Sequence, residues 1–120
     1  MLIVEDDSEM RTLLKLFLLR AGYRVIDEAR GDRARCLIES ERLDAAIVDR
    51  EIPGLSGLDL LSSLRRRRPP VPAILITAFG GPAVAEEAQR RGARYYLDKP
   101  FRVAKLLNVV NDLVTRPDDD

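Results

Sequence analysis

The 120-residue sequence contains no histidine and only one cysteine, Cys36. Without histidine the chain cannot form a Ser-His-Asp triad or most zinc sites, and a single cysteine cannot form an internal disulfide. No apolar run approaches the ~18 residues of a membrane span, and the acidic residues from Glu5 onward begin too early for a signal peptide. These absences predict a cytoplasmic protein without membrane attachment, whose chemistry depends on carboxylates, hydroxyls and lysines.

The sequence also lacks net charge, because 20 Lys and Arg residues balance 20 Asp and Glu residues. This balance gives no electrostatic reason to bind nucleic acid, and we expect no direct binding by this domain. The basic run at residues 65–68 ends a predicted helix, where cations are favoured, so we interpret it as a solvated helix end. The length fits one domain. We place that domain at residues 1–116, followed by an acidic tail or truncated linker at residues 117–120.

Short apolar runs alternate with segments of helical periodicity along the chain. The runs predict five strands, at residues 2–4, 23–29, 45–48, 73–76 and 95–97. Between and after them lie five predicted helices, of which the first carries Met10, Leu13, Leu14, Phe17 and Leu18 on one face. The first, third and fourth runs are continuously apolar, as central strands are, and the other two are more amphipathic. This pattern predicts an α/β flavodoxin-like doubly wound (βα)5 fold with a five-stranded parallel sheet of order 2-1-3-4-5.

Polar residues follow the predicted strands. Glu5 and Asp6 follow the first strand, Asp49 the third, Thr77 the fourth and Lys99 the fifth. Ligands of open parallel sheets bind outside these carboxyl ends, so we expect the five side chains to meet there. Oxygen ligands without histidine or cysteine favour Mg²⁺, Mn²⁺ or Ca²⁺, and a lysine with a hydroxyl suits a tetrahedral anion. Together they predict a phosphoryl-transfer site with an aspartate as nucleophile.

Four motifs, each at the end of a predicted strand, extend this prediction. They are Val4-Glu5-Asp6-Asp7, Val48-Asp49 followed by Pro53-Gly54 and Gly57, Thr77-Ala78, and Asp98-Lys99-Pro100-Phe101. With them the chain resembles the receiver domain of bacterial two-component response regulators from Leu2 to about Val114. The resemblance implies a phosphoprotein that carries an aspartyl phosphate. It would catalyse its own phosphorylation and slow autodephosphorylation, and would not be an enzyme acting on a separate substrate.

The resemblance also implies a metal site for magnesium, with manganese as a substitute. Asp6 and Asp49 would bind the metal directly, Glu5 would hold it through a water molecule, and the backbone carbonyl of Glu51 would complete the protein's ligands. The three consecutive acids leave Asp6-Asp7 open as another acidic pair. We prefer Glu5-Asp6, because Asp7 would then cap the first helix.

The remaining implied roles concern phosphorylation and switching. Asp49 would accept the phosphoryl group from a phosphohistidine of a partner histidine kinase. Thr77 and Lys99 would bind the phosphoryl oxygens, and Tyr96 would move inward as the switch aromatic. The peptide bond before Pro100 resembles one that is usually cis in this family. We also hypothesise that the acidic side chain of Glu51 tunes the lifetime of the phosphoryl group.

The expected partners are a sensor histidine kinase or phosphotransfer protein and an output domain or downstream protein. The surface of the fourth helix, fifth strand and fifth helix would control that output and is also a candidate homodimer face. One alternative is a receiver-like interaction module that is not phosphorylated. Another is a Mg²⁺-dependent phosphatase with Glu51 as general acid/base, although the chain has no room for a substrate-covering cap. Binding of FMN is disfavoured by the acidic first loop. Because the first strand is short, we expect a few upstream residues to be missing.

Overall fold

A computed structural model of the protein describes residues 1–115, in which five strands alternate with five helices. The strands are β1 (Leu2–Val4), β2 (Ile26–Glu28), β3 (Ala46–Asp49), β4 (Ala73–Thr77) and β5 (Tyr95–Asp98). The helices are α1 (Ser8–Arg20), α2 (Gly31–Ser40), α3 (Gly57–Arg66), α4 (Pro82–Arg90) and α5 (Val103–Thr115). The acidic tail predicted at residues 117–120, and the predicted domain end at residue 116, lie outside the described residues.

The strands form one parallel sheet in the order β2-β1-β3-β4-β5, which confirms the predicted topology. The chain reverses its crossover direction between β1 and β3, which are neighbours in the sheet. Val4 at the end of β1 is paired with Val48 in β3. Glu5 and Asp49 therefore follow equivalent positions of adjacent strands, and this register brings the two acids together.

The hydrophobic core has two layers, one on each face of the sheet. Alternate residues of a strand point to opposite faces, so Leu2 and Val4 pack in one layer and Ile3 packs in the other. Helices α2, α3 and α4 cover the first layer, while α1 and α5 cover the second. Burial on both faces explains why β1 is continuously apolar and why β3 and β4 are apolar up to their last residues.

Two details of the predicted elements were wrong. The second strand was predicted at residues 23–29, but β2 contains only Ile26–Glu28. The amide of Tyr23 instead donates to the carbonyl of Leu18 and closes the end of α1. Leu13 was grouped with four other apolar residues on one face of the first helix, yet it is 48% exposed and does not share their burial. The face of α1 that packs against the core is narrow, and its buried residues are Leu14 and Leu18.

Within residues 1–115, none of the helices has both the length and the apolar character needed to cross a membrane.

Candidate functional site

The carboxyl ends of four strands bring the predicted residues to one edge of the sheet. Glu5 follows β1, Asp49 and Thr77 are the last residues of β3 and β4, and Lys99 follows β5. Glu5 and Thr77 are fully buried and Asp49 is 2% exposed, whereas Asp6 is exposed. These three buried polar side chains need hydrogen-bond or ion-pair partners, because burying an unpaired polar or charged group costs free energy.

Lys99 supplies the partner for two of these acids. Its Nζ donates to Oε1 of Glu5 at 2.7 Å and to Oδ2 of Asp49 at 2.9 Å. The other oxygen of Asp49, Oδ1, accepts from the backbone amide of Glu51 at 3.1 Å. Both oxygens of Asp49 are thus oriented by donors, and an ammonium lies beside the predicted nucleophile.

The environment of the site changes the proton affinity of Glu5 and of Lys99. Burial, followed by the hydrogen bond shared with Asp49, raises the pKa of Glu5 to about 7, although Lys99 opposes that shift. Burial by itself lowers the pKa of Lys99, but the hydrogen bonds to Glu5 and Asp49 outweigh burial and raise it. The lysine therefore remains charged at neutral pH, while Glu5 can take up a proton there.

Three carboxylates, those of Glu5, Asp6 and Asp49, each place an oxygen within 4.8 Å of the others. Asp7 lies at the N-cap of α1, where its side chain accepts from the amide of Glu9 at 3.3 Å. The two acids that lie close to Asp49 are thus Glu5 and Asp6, and their role as the metal-binding pair stays a prediction. A cluster of carboxylate oxygens without nitrogen or sulfur ligands fits a hard divalent cation such as Mg²⁺, Mn²⁺ or Ca²⁺.

The loop after Asp49 approaches the strand end closely. Gly57 begins α3, and its amide donates to the carbonyl of Arg50 at 3.2 Å. A Cβ at position 57 would lie 2.3 Å from the backbone oxygen of Asp49. Only glycine allows this approach without a backbone shift, which explains the glycine found in the motif after Asp49.

The sequence did not indicate the contact that Thr77 makes. Its hydroxyl donates to Oε2 of Glu51 at 2.6 Å, and the Ala78 amide donates to Oε1 of the same carboxylate at 3.0 Å. Arg50 donates to Oε2 of Glu51 and to the carbonyl of Phe79, each at 3.1 Å. Each hydrogen bond between residues 50–51 and residues 77–79 joins positions that are at least 26 residues apart. Spacing along the chain therefore could not predict these contacts.

Tyr96 lies on β5 with its ring packed against the core layer that α2, α3 and α4 cover. Its hydroxyl donates to Oδ1 of Asp98 at 2.7 Å and accepts from the amide of Gly81 at 3.1 Å. Partial burial and the Asp98 carboxylate raise the pKa of Tyr96. The predicted switch aromatic is thus tied to the segment that precedes α4.

Arg11 is a further residue at the site that sequence patterns did not indicate. From α1 its guanidinium donates to the backbone carbonyl of Glu5 at 2.8 Å, and its Nε lies 3.3 Å from Oδ2 of Asp27 in the middle of β2. This bridge fixes the backbone of the acidic loop without using a site carboxylate. No motif for it exists, because it depends on the packing of α1 beside β2.

Comparison with known proteins defines the class of this fold and site. Residues 1–111 match the family model described as the response regulator receiver domain. The chain belongs to this receiver domain family of two-component signalling. Its predicted family and fold are thereby confirmed.

Particular relatives are similar over nearly the whole chain. Response regulator protein FleR of Pseudomonas aeruginosa is 38% identical over 109 residues, which cover 91% of this chain and 23% of FleR. The receiver domain of the sensor histidine kinase PA1611 of Pseudomonas aeruginosa, with a magnesium ion coordinated in its active site cleft, is 31% identical with a TM-score of 0.85, and the match covers 96% of both chains. A response regulator from Burkholderia pseudomallei with a phosphorylated aspartic acid, calcium ion and citrate is 28% identical with a TM-score of 0.84, covering 93% of this chain and 66% of that one.

Several curated relatives are much longer than this chain. It spans 23% of FleR and 24% of the DNA-binding transcriptional regulator NtrC of Salmonella typhimurium. The similarity therefore concerns the receiver portion of such proteins.

Proposed function

We propose that this receiver domain accepts a phosphoryl group on Asp49 from a phosphohistidine of a partner histidine kinase or phosphotransfer protein. The observation that carries the proposal is the position of Asp49, which is buried at the end of a central strand with the Lys99 ammonium 2.9 Å from Oδ2. A nucleophile, a cation for the incoming charge and nearby carboxylates for a metal lie at one edge of the sheet. These 120 residues contain no histidine, so the phosphohistidine donor lies outside them.

The metal in this proposal is Mg²⁺, which Mn²⁺ can replace. Asp6 and Asp49 would bind it directly, Glu5 through a water molecule, and the backbone carbonyl of Glu51 would complete the set. The oxygen-only cluster of residues 5, 6 and 49 supports this assignment. When bound, the metal neutralises negative charge on the phosphoryl oxygens during transfer.

In the transfer step, a carboxylate oxygen of Asp49 attacks the phosphorus atom of the donor phosphohistidine. The P–O bond to Asp49 forms while the P–N bond breaks, and the bonding electron pair returns to the imidazole nitrogen. Lys99 turns its ammonium from the free carboxylate to a phosphoryl oxygen and keeps its own proton. In slow autodephosphorylation a water molecule attacks the phosphorus atom and the P–O bond to Asp49 breaks, which releases inorganic phosphate and a proton and restores the Asp49 carboxylate.

The switching proposal concerns Thr77 and Tyr96. The hydroxyl of Thr77 would donate to a second phosphoryl oxygen, and Tyr96 would move inward once Thr77 has moved. Because the Tyr96 hydroxyl accepts a hydrogen bond from the amide of Gly81, movement of Tyr96 would break that bond and change the start of α4. The surface of α4, β5 and α5 would thereby control an output domain or downstream protein, or a homodimer contact. We place the working unit at residues 1–116, in the cytoplasm.

Phosphorylation is tested by incubating the protein with acetyl phosphate and Mg²⁺ and measuring its intact mass. We expect a single phosphoryl adduct that needs the metal, disappears with a chelator and is absent from Asp49→Asn. Failure of the wild type to form an adduct, together with unchanged spectra on adding beryllofluoride, would favour the alternative of an interaction module that is not phosphorylated.

A further inference from the structure

The carboxylate of Glu51, two residues after β3, is hydrogen-bonded to the last residue of β4 and to the residue that follows it. Both of its oxygens accept hydrogen bonds there, from the Thr77 hydroxyl at 2.6 Å and from the Ala78 amide at 3.0 Å. Arg50 bonds to the same carboxylate and to the carbonyl of Phe79, each at 3.1 Å. Residues 50 and 51 therefore form hydrogen bonds with all three residues of the segment 77–79.

The bond between Thr77 and Glu51 uses the only proton that this hydroxyl can donate. The oxygen of Thr77 meanwhile accepts from the amide of Phe79 at 3.1 Å. Thr77 is fully buried, so water does not supply another arrangement. Donation to a phosphoryl oxygen on Asp49 therefore requires that the hydroxyl first leave Glu51.

We propose that Glu51 is a latch for the unphosphorylated state, in which its carboxylate competes with the phosphoryl group for the single hydroxyl proton of Thr77. The proposal rests on the proposed phosphorylation of Asp49 and adds a positioning residue that opposes the switch. After release, the carboxylate of Glu51 faces a phosphoryl anion. Arg50, whose guanidinium already contacts that carboxylate, supplies the neutralising charge.

The latch predicts a measurable gain in affinity when it is removed. We would titrate the protein with beryllofluoride at saturating Mg²⁺ and measure binding by calorimetry. Glu51→Ala is expected to bind beryllofluoride about 10- to 150-fold more tightly than the wild type, as for the loss of one hydrogen bond to a charged group. Glu86→Ala, which removes an exposed carboxylate of α4, is the matched control and is expected to change affinity less than about 2-fold.

Simple repulsion between Glu51 and an anion would also tighten binding on removal of the carboxylate. The two explanations differ in their dependence on the Thr77 hydroxyl. In a Thr77→Val background the latch predicts that Glu51→Ala has less than about a 2-fold effect, whereas repulsion predicts the full effect. Should Thr77→Val fail to fold, Thr77→Ala serves the same cycle, and Thr77→Ser, which retains the hydroxyl, is expected to retain the Glu51→Ala effect.

Each outcome decides the proposal. Equal affinity of the wild type and Glu51→Ala, or a gain that persists without the Thr77 hydroxyl, overturns the latch while leaving phosphorylation of Asp49 intact. Absence of both beryllofluoride binding and an acetyl phosphate adduct in the wild type overturns the proposed function itself. Amide spectra provide a second readout without any ligand. The signals of Ala78 and Phe79 are expected to shift in Glu51→Ala and to stay unchanged in Glu86→Ala.

Discussion

The ammonium of Lys99 lies 2.7 Å from Oε1 of Glu5, a fully buried side chain 94 positions earlier in the sequence. The same ammonium contacts Asp49 at 2.9 Å. A lysine that follows the edge strand β5 thus reaches across the sheet to the ends of β3 and β1. One cation holds together two acids that would otherwise repel each other, so it stabilises the fold as well as the site.

The first prediction concerns Lys99→Met, which removes the ammonium and keeps an unbranched side chain. Without the cation, Glu5 and Asp49 face each other in a buried space, so the free energy of unfolding should fall by roughly 3 kcal/mol. Chemical denaturation at pH 7.5 in chelator measures this change. Added Mg²⁺ should restore more stability to the variant than to the wild type, because a second cation then replaces the ammonium.

Lys105→Met is the matched control, because Lys105 is an exposed lysine of α5. Its effect should stay within about 0.5 kcal/mol. If both variants lost the same stability, the contacts of Lys99 with the two acids would not contribute as described.

The second prediction concerns pH. The pKa of Glu5 is about 7 in the folded protein, above the ordinary value of 4.5, mainly because the carboxyl group is buried. Between these two values the folded state holds a proton that the unfolded state releases. The free energy of unfolding of the metal-free protein should therefore fall as pH rises through this window, by up to about 3 kcal/mol from this group.

Glu5→Gln isolates that contribution, because the amide does not titrate. Denaturation of both proteins from pH 4.5 to pH 7.5 should give a difference in unfolding free energy that moves in favour of the variant as pH rises. A difference that stays constant across this range would contradict the raised pKa of Glu5.

The third prediction concerns Gly80→Ala. A Cβ at this position would lie 1.7 Å from the hydroxyl of Tyr96 and 2.1 Å from Oδ1 of Asp98. The tyrosine must move away, which breaks its hydrogen bond with the Gly81 amide, and we expect a loss of about 1–3 kcal/mol in unfolding free energy. Thermal denaturation in a Tyr96→Ala background should show a smaller loss for the same substitution. An equal loss in both backgrounds would mean that Tyr96 is not the group displaced.

The fourth prediction separates members of the basic run at residues 65–68. Arg67 donates from its guanidinium to the carbonyls of Ile38 and Glu41 at the end of α2, whereas Arg66 is exposed. Arg67→Ala should lower the free energy of unfolding by about 1–2 kcal/mol, since it leaves helix-end carbonyls without their charged donor. Arg66→Ala should change it by less than about 0.5 kcal/mol. Urea denaturation of both variants tests the difference, and equal losses would contradict this role for Arg67.

The basic run illustrates what sequence patterns leave open. Its position at the end of α3 was predicted, and a solvated helix end describes Arg66 and Arg68. Arg67, however, reaches α2, and Arg65 donates to the carbonyl of Arg90 at the end of α4 at 2.9 Å. Periodicity indicates where a helix ends but not which neighbouring helix ends lie within reach of its long side chains.

The fold itself could be predicted, because both strands and helices of a parallel sheet carry strong hydrophobic patterns. Edge strand β2 was the exception. Tyr23 and Val25 have the apolar character of a strand, but they pack in the core beside a three-residue strand. The exposure of Leu13 was also not predicted. Helical spacing shows which residues share a face of the helix, but it does not show how much of that face the sheet covers.

The candidate site was predictable in its residues and less so in their contacts. The strand order alone brings Glu5 beside Asp49. The contact of Glu51 with Thr77 depends on the path of two loops, and the bond from Tyr96 to Gly81 depends on a turn. Neither contact follows from the spacing of residues along the sequence. The roles of the site residues remain predictions, which the experiments above test.

Glu51 contacts Asp49 through its backbone and Thr77 through its side chain. Its backbone amide donates to Asp49, while its carboxylate accepts from Thr77. Any substitution of Glu51 except proline keeps the backbone amide, and most substitutions remove the carboxylate. Under the proposed latch, position 51 is therefore a place where the threshold of the switch can be reset, by evolution or by an engineer building a sensor, while the hydrogen bond that orients Asp49 is kept.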